Sequence, residues 1–147
     1  MDKTNKIKDV LLAEDDPDDV LIFELAIKEL PFPLVLRLAE NGDMLFVLIN
    51  QMIPDIIFLD IKMPCKDGVT CITQIRKNES LDHVPVIMYT ALKSMEYINK
   101  CYENGANFFL IKANSIQELA EKLEKIFSID WKTYMYYPPK NQFVMGA

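Results

Sequence analysis

Three carboxylates, one hydroxyl and one lysine stand where this chain has the means for phosphorus chemistry. Glu14 and Asp15 follow the apolar run Val10-Leu11-Leu12-Ala13, and Asp60 follows Ile56-Ile57-Phe58-Leu59. Thr90 closes the run from Val84 to Tyr89, and Lys112 follows Asn107 to Ile111. Carboxylates gathered at one edge repel, and each raises the pKa of the others. A hard divalent cation removes that conflict. Mg²⁺ takes oxygen ligands and keeps some of its waters, so two carboxylates and a backbone carbonyl suit it. Cys65 is the one Cys or His near in sequence, which disfavours zinc. A carboxylate on Mg²⁺ is also a nucleophile toward phosphorus and forms an acyl phosphate. The transferring phosphoryl spreads negative charge over its oxygens, so cations and donors aimed at them do the stabilising. Lys112 supplies a point charge and Thr90 a hydroxyl. Asp60 is already ionised and needs no separate base.

The elements that must position this set follow from the hydrophobic pattern. Short apolar runs without alternation suit strands buried on both faces of a parallel sheet. Pro17 suits the first turn of a helix, with Asp16 as N-cap and Asp18 and Asp19 as a solvated acidic helix start. Val20, Phe23, Ala26, Ile27 and Leu30 continue that helix to Pro31. Leu34 to Leu38 reads as a strand, Asn41-Gly42 as a turn, Met44 to Met52 as a helix and Ile56 to Leu59 as a strand. A loop with Met63-Pro64 and Asp67-Gly68 leads to a helix over Val69 to Lys77. Val84 to Tyr89 is a strand, Ser94 to Glu103 a helix, Asn107 to Ile111 a strand. Ser115 to Phe127 is a helix opened by the capping box Ser115-Ile116-Gln117-Glu118. Strand and helix alternate five times. This predicts a doubly wound, five-stranded parallel sheet flanked by five helices, with ligands bound outside the carboxyl ends of the strands.

Composition narrows the function classes. A chain of 147 residues is one domain's length. Half its residues are apolar, and 16 Lys and Arg stand against 22 Asp and Glu for a net charge of −6. That charge argues against nucleic-acid binding, which needs clustered cations. No run approaches the ~18 apolar residues of a membrane span, and the residues from Met1 lead into no signal-peptide core. Cys65, Cys71 and Cys101 form no C-x-x-C pair, which argues for a reducing, cytoplasmic setting with the thiols inert. His83, the single histidine, reads as a surface residue.

On these residues the chain resembles the response-regulator receiver domains of two-component phosphorelays, of flavodoxin-like fold and stand-alone type. The resemblance rests on Ala13-Glu14-Asp15-Asp16-Pro17, on Leu59-Asp60-Ile61-Lys62-Met63-Pro64 with Asp67-Gly68, on Met88-Tyr89-Thr90-Ala91, and on Gly105 to Lys112. It spans residues 7–127 or so. It implies that Asp60 is the phosphoacceptor, that Asp15 binds Mg²⁺ directly and Glu14 through water, and that the Lys62 backbone carbonyl is the third protein ligand. It further implies that Thr90 hydrogen-bonds the phosphoryl group, that Lys112 pairs with it, and that Phe109 is the switch aromatic. Ordinary packing is the competing reading of Phe109. The donor would be a histidine kinase or a histidine phosphotransfer protein. Output would run through a downstream protein partner, with no nucleic acid and no membrane, from a monomer or weak homodimer.

The chain departs from the family pattern in places. Ala113 stands where the family usually has proline, so a trans bond is expected there. Lys62 and Leu92 occupy positions that tune phosphate lifetime in the family. Lys62 also replaces the second aspartate that an Mg²⁺-dependent aspartyl-phosphate hydrolase would carry. A flavodoxin-like cofactor carrier would need a small-residue phosphate loop where Glu14-Asp15-Asp16 stand. The alternative function is a pseudo-receiver, an unphosphorylated protein-interaction module. The domain is expected over 1–127. The tail 128–147, with Trp131, Tyr134, Tyr136, Tyr137, Phe143 and Val144, is too aromatic for plain disorder. It is expected to pack on the domain or to serve in docking.

Overall fold

The structure is a computed structural model of the chain that describes residues 7–133 and 135–146. Met1 to Lys6, Tyr134 and Ala147 lie outside the described residues. Five strands and five helices alternate: β1 (Asp9–Ala13), α1 (Pro17–Lys28), β2 (Val35–Ala39), α2 (Gly42–Gln51), β3 (Ile56–Leu59), α3 (Gly68–Arg76), β4 (Val86–Thr90), α4 (Met95–Glu103), β5 (Phe108–Ile111) and α5 (Ile116–Phe127). A sixth strand, β6 (Val144–Met145), comes from the tail, so the sheet has one strand more than the five expected. Its order is β2-β1-β3-β4-β5-β6, and every pairing is parallel. A two-residue strand carries too little pattern to be read from sequence, and its pairing comes from β5 rather than from its own composition.

The four inner strands β1, β3, β4 and β5 are buried along their whole length, which is why their sequences are continuous apolar runs. Helices cover both faces. On one side Phe23 of α1 and Leu123 and Phe127 of α5 pack with Phe58, Tyr89 and Trp131. On the other, Leu45 of α2, Ile72 of α3 and Cys101 of α4 pack with Leu59, Met88, Phe109 and Phe143. Burial pushes the Cys71 thiol up to about 11 and the Cys101 thiol up to about 12, so both are neutral apolar filler. β2 is an edge strand, and Val35 and Leu38 on it are 62% and 40% exposed.

Several boundaries move from the expected ones for local reasons. Asn41 is an N-cap rather than a turn residue. Its side chain accepts from the Met44 N–H, so α2 begins at Gly42. Pro85 lies just outside β4, where its carbonyl accepts from the Ile57 N–H at 3.0 Å. Ser115 caps α5 as expected, accepting from the Glu118 N–H at 3.1 Å, but the Glu118 side chain turns to Lys122 instead of completing the box. No cis peptide is found among the described residues, so the bond into Ala113 is trans. His83 is exposed.

The tail runs back over the sheet. Trp131 is 4% exposed, and its indole N–H donates to the Ile126 carbonyl at 2.9 Å, closing the end of α5. Lys132 reaches Asp55 at 2.6 Å, and the same carboxylate accepts from the Lys8 and Asp9 N–H groups. Asn107 holds the next stretch. Its amide nitrogen donates to the Tyr136 carbonyl at 2.7 Å, while its oxygen accepts from Val86 N–H and Arg76.

Candidate functional site

The carboxyl ends of β1, β3, β4 and β5 meet at one edge, and backbone bonds fix their relative heights. The Asp60 N–H donates to the Ala13 carbonyl at 3.0 Å, and the Lys112 N–H donates to the Thr90 carbonyl at 2.9 Å. The residue after each strand is thereby held beside the last residue of its neighbour. Gly68 closes the site from below. A Cβ there would run into the Asp60 carbonyl oxygen, and its N–H donates to the Ile61 carbonyl at 2.7 Å. Only glycine lets the start of α3 approach the loop this closely. Cys65, exposed in the same loop, takes a left-handed φ of 72°, uncommon for a residue with a side chain.

Glu14, Asp15 and Asp60 each offer a carboxylate oxygen, and these atoms lie within 4.8 Å of one another. Glu14 and Asp60 are buried and Asp15 is exposed. Asp15 lines an open cleft of about 440 Å³ with Ile61, Lys62, Met63, Pro64, Asp67 and Tyr97. Lys112 puts its ammonium among the acids: Nζ is 2.7 Å from Glu14 Oε1, 2.8 Å from Asp19 Oδ2 and 3.0 Å from Asp60 Oδ2. It also sits 5.4 Å from the centre of the Tyr89 ring. Glu14 Oε1 is buried against the Lys112 ammonium.

The electrostatics follow from this crowding. Burial pushes the Glu14 carboxyl up to about 7, the Asp60 charge adds to that, and Lys112 opposes it. Burial alone would lower Lys112, yet Asp19, Glu14 and Asp60 together hold it above its ordinary value. Burial likewise raises Tyr89 against the pull of Lys112. Three carboxylates share one ammonium with Asp15 beside them, which leaves the edge with excess negative charge. Glu14, Asp15 and Asp60, with a carboxylate oxygen from each within 4.8 Å of the others, form the arrangement an oxygen-ligated divalent cation fits.

Thr90 is 1% exposed, and its hydroxyl oxygen accepts from the Leu92 N–H at 3.3 Å. Phe109 is fully buried on β5, beside Met88 of β4. The structure thus brings Glu14, Asp15, Asp60 and Lys112 together, with Lys62 on the cleft wall. Phe109 lies on β5, three residues before Lys112, which follows the strand. Asp19 is the residue that sequence reasoning missed. Taken as part of a solvated helix start, it faces Lys112 instead. Its place in the first turn of α1, directly after the Glu14-Asp15 pair and the Asp16 cap, was the available signal.

The sequence model of the response regulator receiver domain matches residues 10–124. The chain belongs to this family. Receiver domains are signalling modules of two-component systems rather than classical enzymes, and they bind Mg²⁺ at an acidic site of this kind. Among curated relatives, the probable C4-dicarboxylate response regulator DctR of Bacillus subtilis is 34% identical over 116 residues, 79% of this chain and 50% of DctR. The chain therefore spans about half the length of that relative. Chemotaxis protein CheY-3 of Vibrio cholerae is 29% identical over 123 residues, 84% of this chain and 94% of CheY-3. Among solved structures, the Mn²⁺-bound form of response regulator Rcp1 superposes with a TM-score of 0.75 at 24% identity, covering 90% of this chain and 99% of Rcp1. That likeness shows the fold. No helix among the described residues is long and apolar enough to cross a membrane.

Proposed function

We propose that this receiver domain accepts a phosphoryl group on Asp60 from a histidine kinase or a histidine phosphotransfer protein, and then alters its surface toward a protein partner. The observation that carries the reading is the Lys112 ammonium 3.0 Å from Asp60 Oδ2 beside the Glu14–Asp15 pair. An Asp60 oxygen attacks phosphorus, the bond from phosphorus to the donor atom breaks, and the donor leaves with that electron pair. Glu14, Asp15, Asp60 and the Lys62 backbone carbonyl would hold Mg²⁺, which would supply charge neutralisation. Lys112 follows the developing charge on the phosphoryl oxygens, and the Thr90 hydroxyl donates to one of them. The buried setting of Asp60 strengthens both interactions. Drawing Thr90 and Lys112 toward the phosphoryl shifts the ends of β4 and β5, and Phe109 on β5 carries the change to the α4–β5 surface. The domain itself occupies residues 1–127, and the setting is the cytoplasm.

Intact-protein mass after incubation with Mg²⁺ and acetyl phosphate tests this. One phosphoryl group, about 80 Da for an aspartyl acyl phosphate, is expected on the wild type and none on Asp60→Asn. Absence of any adduct from acetyl phosphate and from a purified histidine kinase refutes the reading in favour of an unphosphorylated interaction module.

A further inference from the structure

Residues 138–146 run from Tyr102 of α4 to β5, the strand that leads into Lys112. The Phe109 N–H donates to the Phe143 carbonyl at 3.0 Å, and Phe109 and Leu110 register with Val144 and Met145. The Phe143 ring is fully buried. Its centre is 5.0 Å from Tyr102 of α4, nearly edge-on at 74°, and 6.1 Å from Phe109. The Tyr102 hydroxyl donates to the Pro138 carbonyl at 3.4 Å, and Lys140 lies 5.9 Å from the centre of the same ring. Gly146 takes φ of 98°, and a Cβ there would press on Ile111 at 3.2 Å from its carbonyl oxygen.

This attachment is narrow. The Phe143 ring, the buried Pro138 and a two-residue ladder hold nine residues, with Val144 and Met145 packed in part against the cores, and this burial opposes the entropy of ordering the segment. A short segment at a sheet edge with residues 139–142 and 146 exposed belongs to the low-stability end of a fold. It is also attached at β5, which carries Phe109 and runs directly into Lys112. Movement of β5 toward an occupied Asp60 changes the ladder and the Phe143 pocket together.

Resting on the phosphoacceptor reading above, we propose that residues 138–146 form a strap that covers the Tyr102–Phe109 surface when Asp60 is unmodified, and that phosphorylation of Asp60 and release of the strap favour each other. The strap thus competes with any partner that reads this face. Coupling of this kind is reciprocal: whatever factor the phosphoryl group applies to strap release, strap release applies to occupancy of the site.

Hydrogen exchange on the full chain, read by mass spectrometry with Mg²⁺ present and with or without beryllofluoride as the phosphoryl mimic, tests this. Exchange over 138–146 and at the Phe109 amide should quicken about tenfold on beryllofluoride binding, the coupling of a typical linked pair, while the β1 amides stay protected. Phe143→Ala should raise beryllofluoride affinity by the same factor, followed by ¹⁹F NMR. Beryllofluoride bound with unchanged protection over 138–146, or equal affinity in Phe143→Ala, overturns the strap and leaves the phosphoacceptor reading standing. If neither beryllofluoride nor acetyl phosphate occupies Asp60, the phosphoacceptor reading falls and the strap falls with it.

Discussion

Replacing Lys112 with methionine keeps the length of the side chain and removes the one cation shared by Glu14, Asp19 and Asp60. The ammonium is 11% exposed, and its partners are 0%, 26% and 8% exposed. At ~4 Å and an effective dielectric near 20 each such pair attracts by about 4 kcal/mol, most of it offset by desolvation. Breaking a buried pair by removing one partner costs about 3–5 kcal/mol, because the other charge is left behind. Asp19 is able to hydrate, so the lower end applies: about 3 kcal/mol at pH 8, or ~10 °C in Tm for a chain of this size.

The cause, charge conflict, makes two further demands. About 10 mM Mg²⁺ should return at least half of the loss, since a cation that binds only the folded site stabilises it by mass action. The gap should also narrow as pH falls from 8 to 6. Glu14 already titrates at about 7, above its ordinary value, with Lys112 present. A carboxyl raised on folding contributes stability below its unfolded value and loses it as pH rises through the folded one. Without Lys112 the folded value moves higher still, so protonation relieves the variant more than the wild type. Thermal unfolding of both proteins, with and without Mg²⁺ at pH 6 and 8, reads all of this. An equal loss in every condition would refute the argument and make Lys112 a packing residue over Tyr89.

Three other outcomes are expected. Asp19→Asn, which leaves Lys112 two carboxylates, should slow phosphoryl uptake from acetyl phosphate about three- to tenfold, while Asp18→Asn on the exposed side changes nothing; equal rates would remove Asp19 from the site. Gly68→Ala should destabilise the domain by about 2 kcal/mol or more and lower phosphoryl uptake with it, because the new methyl displaces the Asp60 carbonyl; calorimetry and the mass assay together check this. Burial alone would raise the Asp55 carboxyl, but Lys132 and the Lys8 and Asp9 N–H groups outweigh it and hold it below the usual 3.8. Its contribution is present above that value and is lost as pH falls through the lower, folded one, so the stability advantage of wild type over Asp55→Asn should fade in urea titrations taken below pH 4.

The parts of the fold that could be read from sequence are those whose residues answer to one rule. β1, β3, β4 and β5 are apolar because both faces are covered, and their ends mark the site whatever the helices do. β6 answers to no such rule: Val144 and Met145 pair because β5 offers an open edge. Asn41 looked like a turn because Asn-Gly usually is one, and the choice between turn and cap depends on where α2 docks. Asp19 shows the same limit within the site. Its place in the first turn of α1 was visible, but the reach of Lys112 across 93 residues is a tertiary fact.

The sheet's two margins are unlike. At one, β6 offers two residues before Gly146; at the other, β2 offers five, with Val35 and Leu38 turned to solvent. Very short margins give an incoming strand too little backbone to join. Strand-to-strand association of folded copies therefore has a single usable side, and a body with one adhesive side pairs once and stops. While the tail closes the β5 margin, sheet-extended polymers have no second side to grow from, and a pair is the largest assembly such contacts could build.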